Sequence, residues 1–150
     1  MRYCGAQIGQ RFAAAAVLLA VAGCSTNPIA YSKARPVPAD RILDGYKAVS
    51  TMTAKTAQVS IVRDSGIMGS AVLAELSING IAISKFRTGE RLVVYLQPGT
   101  YEFGVAYVGP LGPLPYTKRI SVQSGQQYFI RVKPVAGNGF VLQPSAEIND

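Results

Sequence analysis

The chain changes its hydrophobic pattern twice. Residues 12–22 form an unbroken apolar run, residues 25–39 show no sustained period, and from Ala57 onward apolar side chains recur at alternate positions. A period of two is the mark of half-buried strands. Ala57, Val59 and Ile61 alternate with Gln58 and Ser60, and Val72, Ala74, Leu76 and Ile78 alternate with Leu73, Glu75 and Ser77. Asn79-Gly80 then stands where a two-residue type I′ hairpin needs positive φ at both centres. Ile81, Ile83 and Phe86 continue on the return strand. After Thr88-Gly89-Glu90 come Leu92, Val94 and Leu96, and after Pro98-Gly99 come Tyr101, Phe103, Val105 and Tyr107. Pro98-Gly99 suits the centre of a type II turn. Ser124-Gly125-Gln126 separates strands predicted over 116–122 and 127–132, and a last short strand is expected over 140–143. Eight short strands with no long helical period predict an all-β fold, a single small antiparallel β-sandwich or open barrel.

The segments before this pattern divide by composition. Arg2 and Arg11 are the charges that precede the run at 12–22. A short positive stretch, an apolar run and small residues make the layout of a secretory signal. Eleven helical residues reach about 17 Å, short of a hydrocarbon core of roughly 30 Å. An uncleaved anchor is the alternative, since no charge follows Arg11 until Lys33, but Pro28 would break the second half of such a helix. Residues 24–39, with Pro28, Pro36 and Pro38, read as a flexible tether that fully extended spans at most about 50 Å. Within 40–55, Asp40 is a candidate cap for a short helix over 41–48, with Ile42, Leu43 and Tyr46 on one face and Gly45 weakening it. The expected organisation is a signal at 1–23, tether at 24–39, helix or linker at 40–55, sandwich at 56–145 and a polar tail at 146–150.

Val21-Ala22-Gly23-Cys24, placed directly after the apolar run, resembles the lipobox of bacterial lipoproteins. The resemblance implies cleavage before Cys24, a diacylglyceryl thioether on its sulfur and acylation of the new amino group. Small side chains at Ala22 and Gly23 suit close approach of the processing enzymes. Each buried methylene contributes about 0.8 kcal/mol, so two or three acyl chains anchor stably where one does not. Ser25, rather than Asp, implies sorting to the outer membrane, with the domain facing the periplasm. No cofactor beyond this covalent lipid is expected.

Removing 23 of the 150 residues leaves 127. Two of the fifteen basic residues leave with the signal, so thirteen remain against eight acids, a net charge of +5. Cys4 leaves too, and an acylated Cys24 offers no thiol, so no disulfide can support the fold.

A second resemblance lies over 56–132. The run Arg63-Asp64, Gly69-Ser70, Ile78-Asn79-Gly80, Gly89-Glu90 and Leu96-Gln97-Pro98-Gly99-Thr100-Tyr101 is similar to small PEGA-like or carboxypeptidase-regulatory-like β-sandwich domains, including those of bacterial lipoproteins of unknown function. It implies a fold and transfers no catalytic residue.

Candidate chemistry is sparse. The chain has no histidine, which removes Ser-His and Cys-His nucleophile pairs and His-ligated zinc; without a free thiol, thiol redox chemistry goes as well. Glu75, Glu90 and Glu102 are the carboxylates that a glycosidase would need, yet their neighbours read as solvent-facing strand and turn positions. No metal site is expected. The basic excess is more suggestive: Lys85, Arg87 and Arg91 flank one turn, and Lys118 and Arg119 lie together. They could form a basic surface toward anionic headgroups or a wall polymer, or serve solubility and the protection of strand edges. Leu111 and Leu114, on the Gly/Pro-rich stretch 109–115, are either a partner-contact loop or a plug for one end of the sandwich.

The functional expectation is a non-catalytic, lipid-anchored envelope protein whose sandwich binds a protein or envelope polymer. Its partners are the membrane, through the anchor, and that component. Neither nucleic acid nor a small-molecule substrate is indicated. A structural or accessory role in an envelope or secretion machine is the alternative, and a carboxylate-based hydrolase a third.

Overall fold

The structure is a computed structural model that describes residues 26–66, 69–108, 115–135 and 139–145. Its strands are β1 (Thr26–Asn27), β2 (Arg35–Pro36), β3 (Ala57–Arg63), β4 (Ser65–Gly66), β5 (Leu73–Ile78), β6 (Ile81–Phe86), β7 (Glu90–Leu96), β8 (Gly99–Val108), β9 (Tyr116–Val122), β10 (Gln127–Val135) and β11 (Gly139–Ser145). All eight strands expected from the alternating pattern are present, and they pack as a small all-β sandwich. One sheet has the order β11-β10-β3-β7-β2 and the other β6-β5-β8-β9. A minor ribbon joins β1 to β4.

The core lies between the sheets where the period of two placed it. Ala57, Val59 and Ile61 from β3 and Val94 and Leu96 from β7 meet Ala74, Leu76, Phe86, Phe103 and Val105 from the opposing sheet, all essentially buried. The β5–β6 hairpin turns at Asn79 and Gly80, with φ of 50° and 78°. These are the positive angles that Asn and Gly tolerate at small steric cost.

Four expectations need correction. The sandwich is not wholly antiparallel, because β10 runs parallel to β3, with Gln127 opposite Gln58 and Ile130 opposite Ile61. Turn residues report pairing between neighbours in sequence, whereas these strands lie more than sixty residues apart. Pro98-Gly99 is not the centre of a type II turn, since Gly99, with φ of 159°, is extended and opens β8 opposite Val122. The helix over 41–48 is instead two 3₁₀ turns, Ala39–Arg41 and Asp44–Val49, and no side chain caps either. Between them Ile42 bridges to Ser84 and the Leu43 N–H donates to the Ile83 carbonyl, so this backbone serves the edge of β6. Finally, the stretch expected as a tether lies against the sandwich from Thr26 onward. Among the described residues no helix is long and apolar enough to cross a membrane.

Candidate functional site

Strand chemistry explains why the N-terminal arm is pinned. The five-stranded sheet has apolar residues on both faces: Val62, Val93 and Phe129 point away from the core and share a face through the pairs Ser60–Phe129, Ser60–Val93 and Val62–Arg131. Left bare, that face would be a hydrophobic patch. Val62 is nonetheless only 3% exposed and Ser60 2%. The arm lies on this side of the sheet. The Tyr31 ring meets Phe129 edge-on at 6.3 Å between centroids and takes the Arg91 guanidinium over its face at 4.7 Å. Ala34 and Val37 are buried. The Arg35 N–H donates to the Gly89 carbonyl at 2.9 Å and the Val37 N–H to that of Arg91 at 3.0 Å, which lays β2 parallel to the start of β7.

The arm reaches one end of the sandwich, where β3 and β10 finish and β7 begins. There β1 pairs Thr26 with Gly66 and Asn27 with Ser65, immediately beyond Asp64. Val108, at the close of β8, stands opposite Leu73 at the start of β5, on the same end.

Four buried charged groups, Arg63, Asp64, Arg131 and Glu90, hold this end together. Arg63 is fully buried. Its guanidinium donates to the carbonyls of Phe86 (2.6 Å), Val72 (2.7 Å) and Gly69 (2.5 Å) and lies 4.6 Å from the centre of the Phe140 ring. Burial pulls its pKa down to about 10, so the cation persists at neutral pH. Asp64, 1% exposed, is ion-paired with Arg131, which also donates to the Ile29 carbonyl of the arm at 3.2 Å. Burial nevertheless holds the Asp64 carboxyl above its ordinary value, against the pull of Arg131. Glu90, 4% exposed, accepts from both terminal nitrogens of Arg41 (2.6 and 2.5 Å) and from the Arg87 N–H (2.7 Å). Burial alone would raise Glu90, but the Arg41 hydrogen bonds, the Arg87 amide and the charges of Arg41 and Arg35 together keep it below the usual carboxylate range.

Glu90 is therefore an internal ion-pair partner, not the exposed turn residue its neighbours suggested. Strand phase carried the signal: Glu90 falls in step with Leu92, Val94 and Leu96, and Arg63 in step with Ala57, Val59 and Ile61. The other two carboxylates stand on the outer face of the four-stranded sheet. Glu75 lies 3.7 Å from Lys85, and Glu102 is opposite Arg119. Glu75 pairs with Ala106, four residues along β8 from Glu102. At about 3.4 Å per residue that places them roughly 14 Å apart, beyond the roughly 5–9.5 Å that glycoside hydrolysis uses.

The five basic residues do not form one surface. Lys85 and Arg119 share the outer face of the four-stranded sheet but stand on its opposite edge strands, β6 and β9. Lys118 alternates with Arg119 and so points to the core side of the same edge. Arg91 lies over Tyr31 on the other sheet, and Arg87 is exposed at the arm's end of the sandwich. Beside Arg119, Asn79, Thr100 and Glu102 line a shallow polar concavity. There the Asn79 side-chain oxygen accepts from the Glu102 N–H at 2.9 Å. Among the described residues no group of three or more Asp, Glu, His or Cys could hold a metal ion. Cys24 with Val21, Ala22 and Gly23, and Leu111 with Leu114, lie outside the described residues.

No protein-family model matches the chain, and no curated protein does either.

Proposed function

We propose that this chain is a lipid-anchored envelope protein, held by acyl chains on Cys24, whose β-sandwich binds an envelope protein or polymer without catalysing a reaction. The observation that carries the reading is the junction between motif and fold. Val21-Ala22-Gly23-Cys24 ends two residues before Thr26, which opens β1. The carboxylate spacing and the absence of histidine from the sequence support a non-catalytic role. The residue after the cysteine, Ser25, supports the outer membrane as destination, with the sandwich on the periplasmic side.

The test is Cys24→Ala in cells. The wild-type protein should fractionate with membranes, and its intact mass should correspond to residues 24–150 plus lipid. The variant should lose both the lipid mass and the membrane association while its sandwich still folds. An unmodified, full-length wild-type chain would refute the anchor. Crosslinking in cells followed by isolation should then recover one defined envelope component.

A further inference from the structure

We propose that the end of the sandwich carrying β1 and the Arg87–Gly89 turn is a membrane-contact surface that rests on anionic lipid headgroups, with the long strands rising away from the bilayer. This deepens the anchor reading and rests on it. The first argument is reach. A free tether of fifteen residues would let the domain wander roughly 20 Å from its lipid on average. Here Thr26 is already paired to Gly66. Two Cα–Cα steps separate it from Cys24, so the acylated residue lies within about 8 Å of this end of the sheet.

The second argument is charge. Two of the acids at this end, Asp64 and Glu90, are buried and neutralised by Arg131 and Arg41, and Asp40, exposed beside Arg41, is the third. Around them stand cations without an ion-pair partner among the described residues. Arg35 lies near enough to Glu90, and Lys133 near enough to Asp64, to lower those carboxyls electrostatically. Arg35 and Arg87 are both exposed. With two acids buried, Arg35, Arg87 and Lys133 outnumber the exposed Asp40 and give the end a net positive potential, the complement of an anionic headgroup layer. Basic side chains near such a surface are drawn to its negative potential. The opposite end, with Asn79-Gly80 and Ser124-Gly125, lies about 27 Å away along the nine residues of β10. It would face the periplasm and any partner.

The chain has no tryptophan, so single reporters can be placed at will. Ser70→Trp marks the arm's end and Ser124→Trp the far end; both positions are exposed turn residues. The mature lipoprotein is reconstituted into phosphatidylglycerol-containing vesicles that carry a headgroup energy-transfer acceptor. Transfer should be at least about threefold stronger from position 70 than from position 124. The triple change Arg35→Glu, Arg87→Glu and Lys133→Glu should shrink that ratio toward one. Equal transfer from both positions, or a ratio unmoved by the triple change in a folded protein, would overturn the proposal. Intact mass of the same sample reports the natural lipid separately. If that lipid is missing, residues 24–150 coupled at Cys24 to a maleimide phospholipid still test the surface by the same ratio.

Discussion

At the scale of single residues, the unusual feature is how much charge a small core contains. Among the described residues no acid is within ion-pairing distance of Arg63, although Glu90 lies near enough to favour its charge; three backbone carbonyls and the Phe140 face hold it. Arg63→Ala would leave those carbonyls unmet and open a cavity, so unfolding in urea should show a loss of about 3–5 kcal/mol. Arg63→Met restores much of the volume and removes the buried charge, and should lose less, about 2 kcal/mol. Equal losses would mean that hydrogen bonding, not packing, is what Arg63 supplies. Glu90 behaves differently because its folded pKa lies below its unfolded one. A depressed carboxyl stabilises the fold above the unfolded pKa of about 4.3 and loses that contribution as pH falls through the folded value. Glu90→Gln should therefore destabilise by about 2 kcal/mol at pH 7, while at pH 3 the gap to wild type narrows. A gap independent of pH would show that shape, not charge, is what the Arg41 contact requires.

At the scale of elements, backbone hydrogen bonding overrode helix propensity in residues 39–49. Leu43 and Ile42 give their backbone to β6, and the Tyr46 hydroxyl donates to the Val93 carbonyl at 3.2 Å. The turn between them is held so close that a Cβ on Gly45 would lie 2.5 Å from the Ala82 carbonyl oxygen and 2.6 Å from the Ile81 methyl. Gly45 is thus a packing requirement rather than a helix defect. Gly45→Ala, which would favour a helix by roughly 1 kcal/mol, should instead destabilise by about 2 kcal/mol. Thermal melting of the variant gives the sign directly, and a raised Tm would contradict this account of the turn. Gly104 presents a milder version, since a Cβ there meets the Ser77 hydroxyl, an atom that can rotate away.

At the scale of the molecule, the arm, the parallel strand pair and the sealed charges act together. The arm covers the outward apolar residues of β3, β7 and β10 and brings Thr26 to the end where β3 and β10 finish. Its attachment can be measured by hydrogen exchange. The amides of Arg35 and Val37, bonded to Gly89 and Arg91, should be protected by at least about a hundredfold over an unstructured chain. Tyr31→Ala should abolish most of that protection and leave the amides of β5 and β8 unaffected. Arg35 and Val37 exchanging at coil rates in the wild type would restore a mobile tether and remove the reach argument for membrane contact.

The sequence by itself determined the all-β class, the eight long strands, the hairpin at Asn79-Gly80 and the inward residues, because side chains alternate in a strand and special φ values demand special residues. Two signals stood in plain view with their meaning hidden. Arg63 and Glu90 sit in the inward phase, and the runs Val59-Ser60-Ile61-Val62 and Phe129-Ile130 are apolar on both sides of the strand. What they imply depends on which distant backbone carbonyls and which arm lie opposite, and that is a property of the assembled sandwich. Tertiary structure alone decided the parallel pairing of β3 with β10, the conversion of a tether into a docked arm, and the separation of five basic residues onto different faces. Contacts between residues sixty or more positions apart leave no local period; they exist only once loop closure has been offset by burial of the whole core.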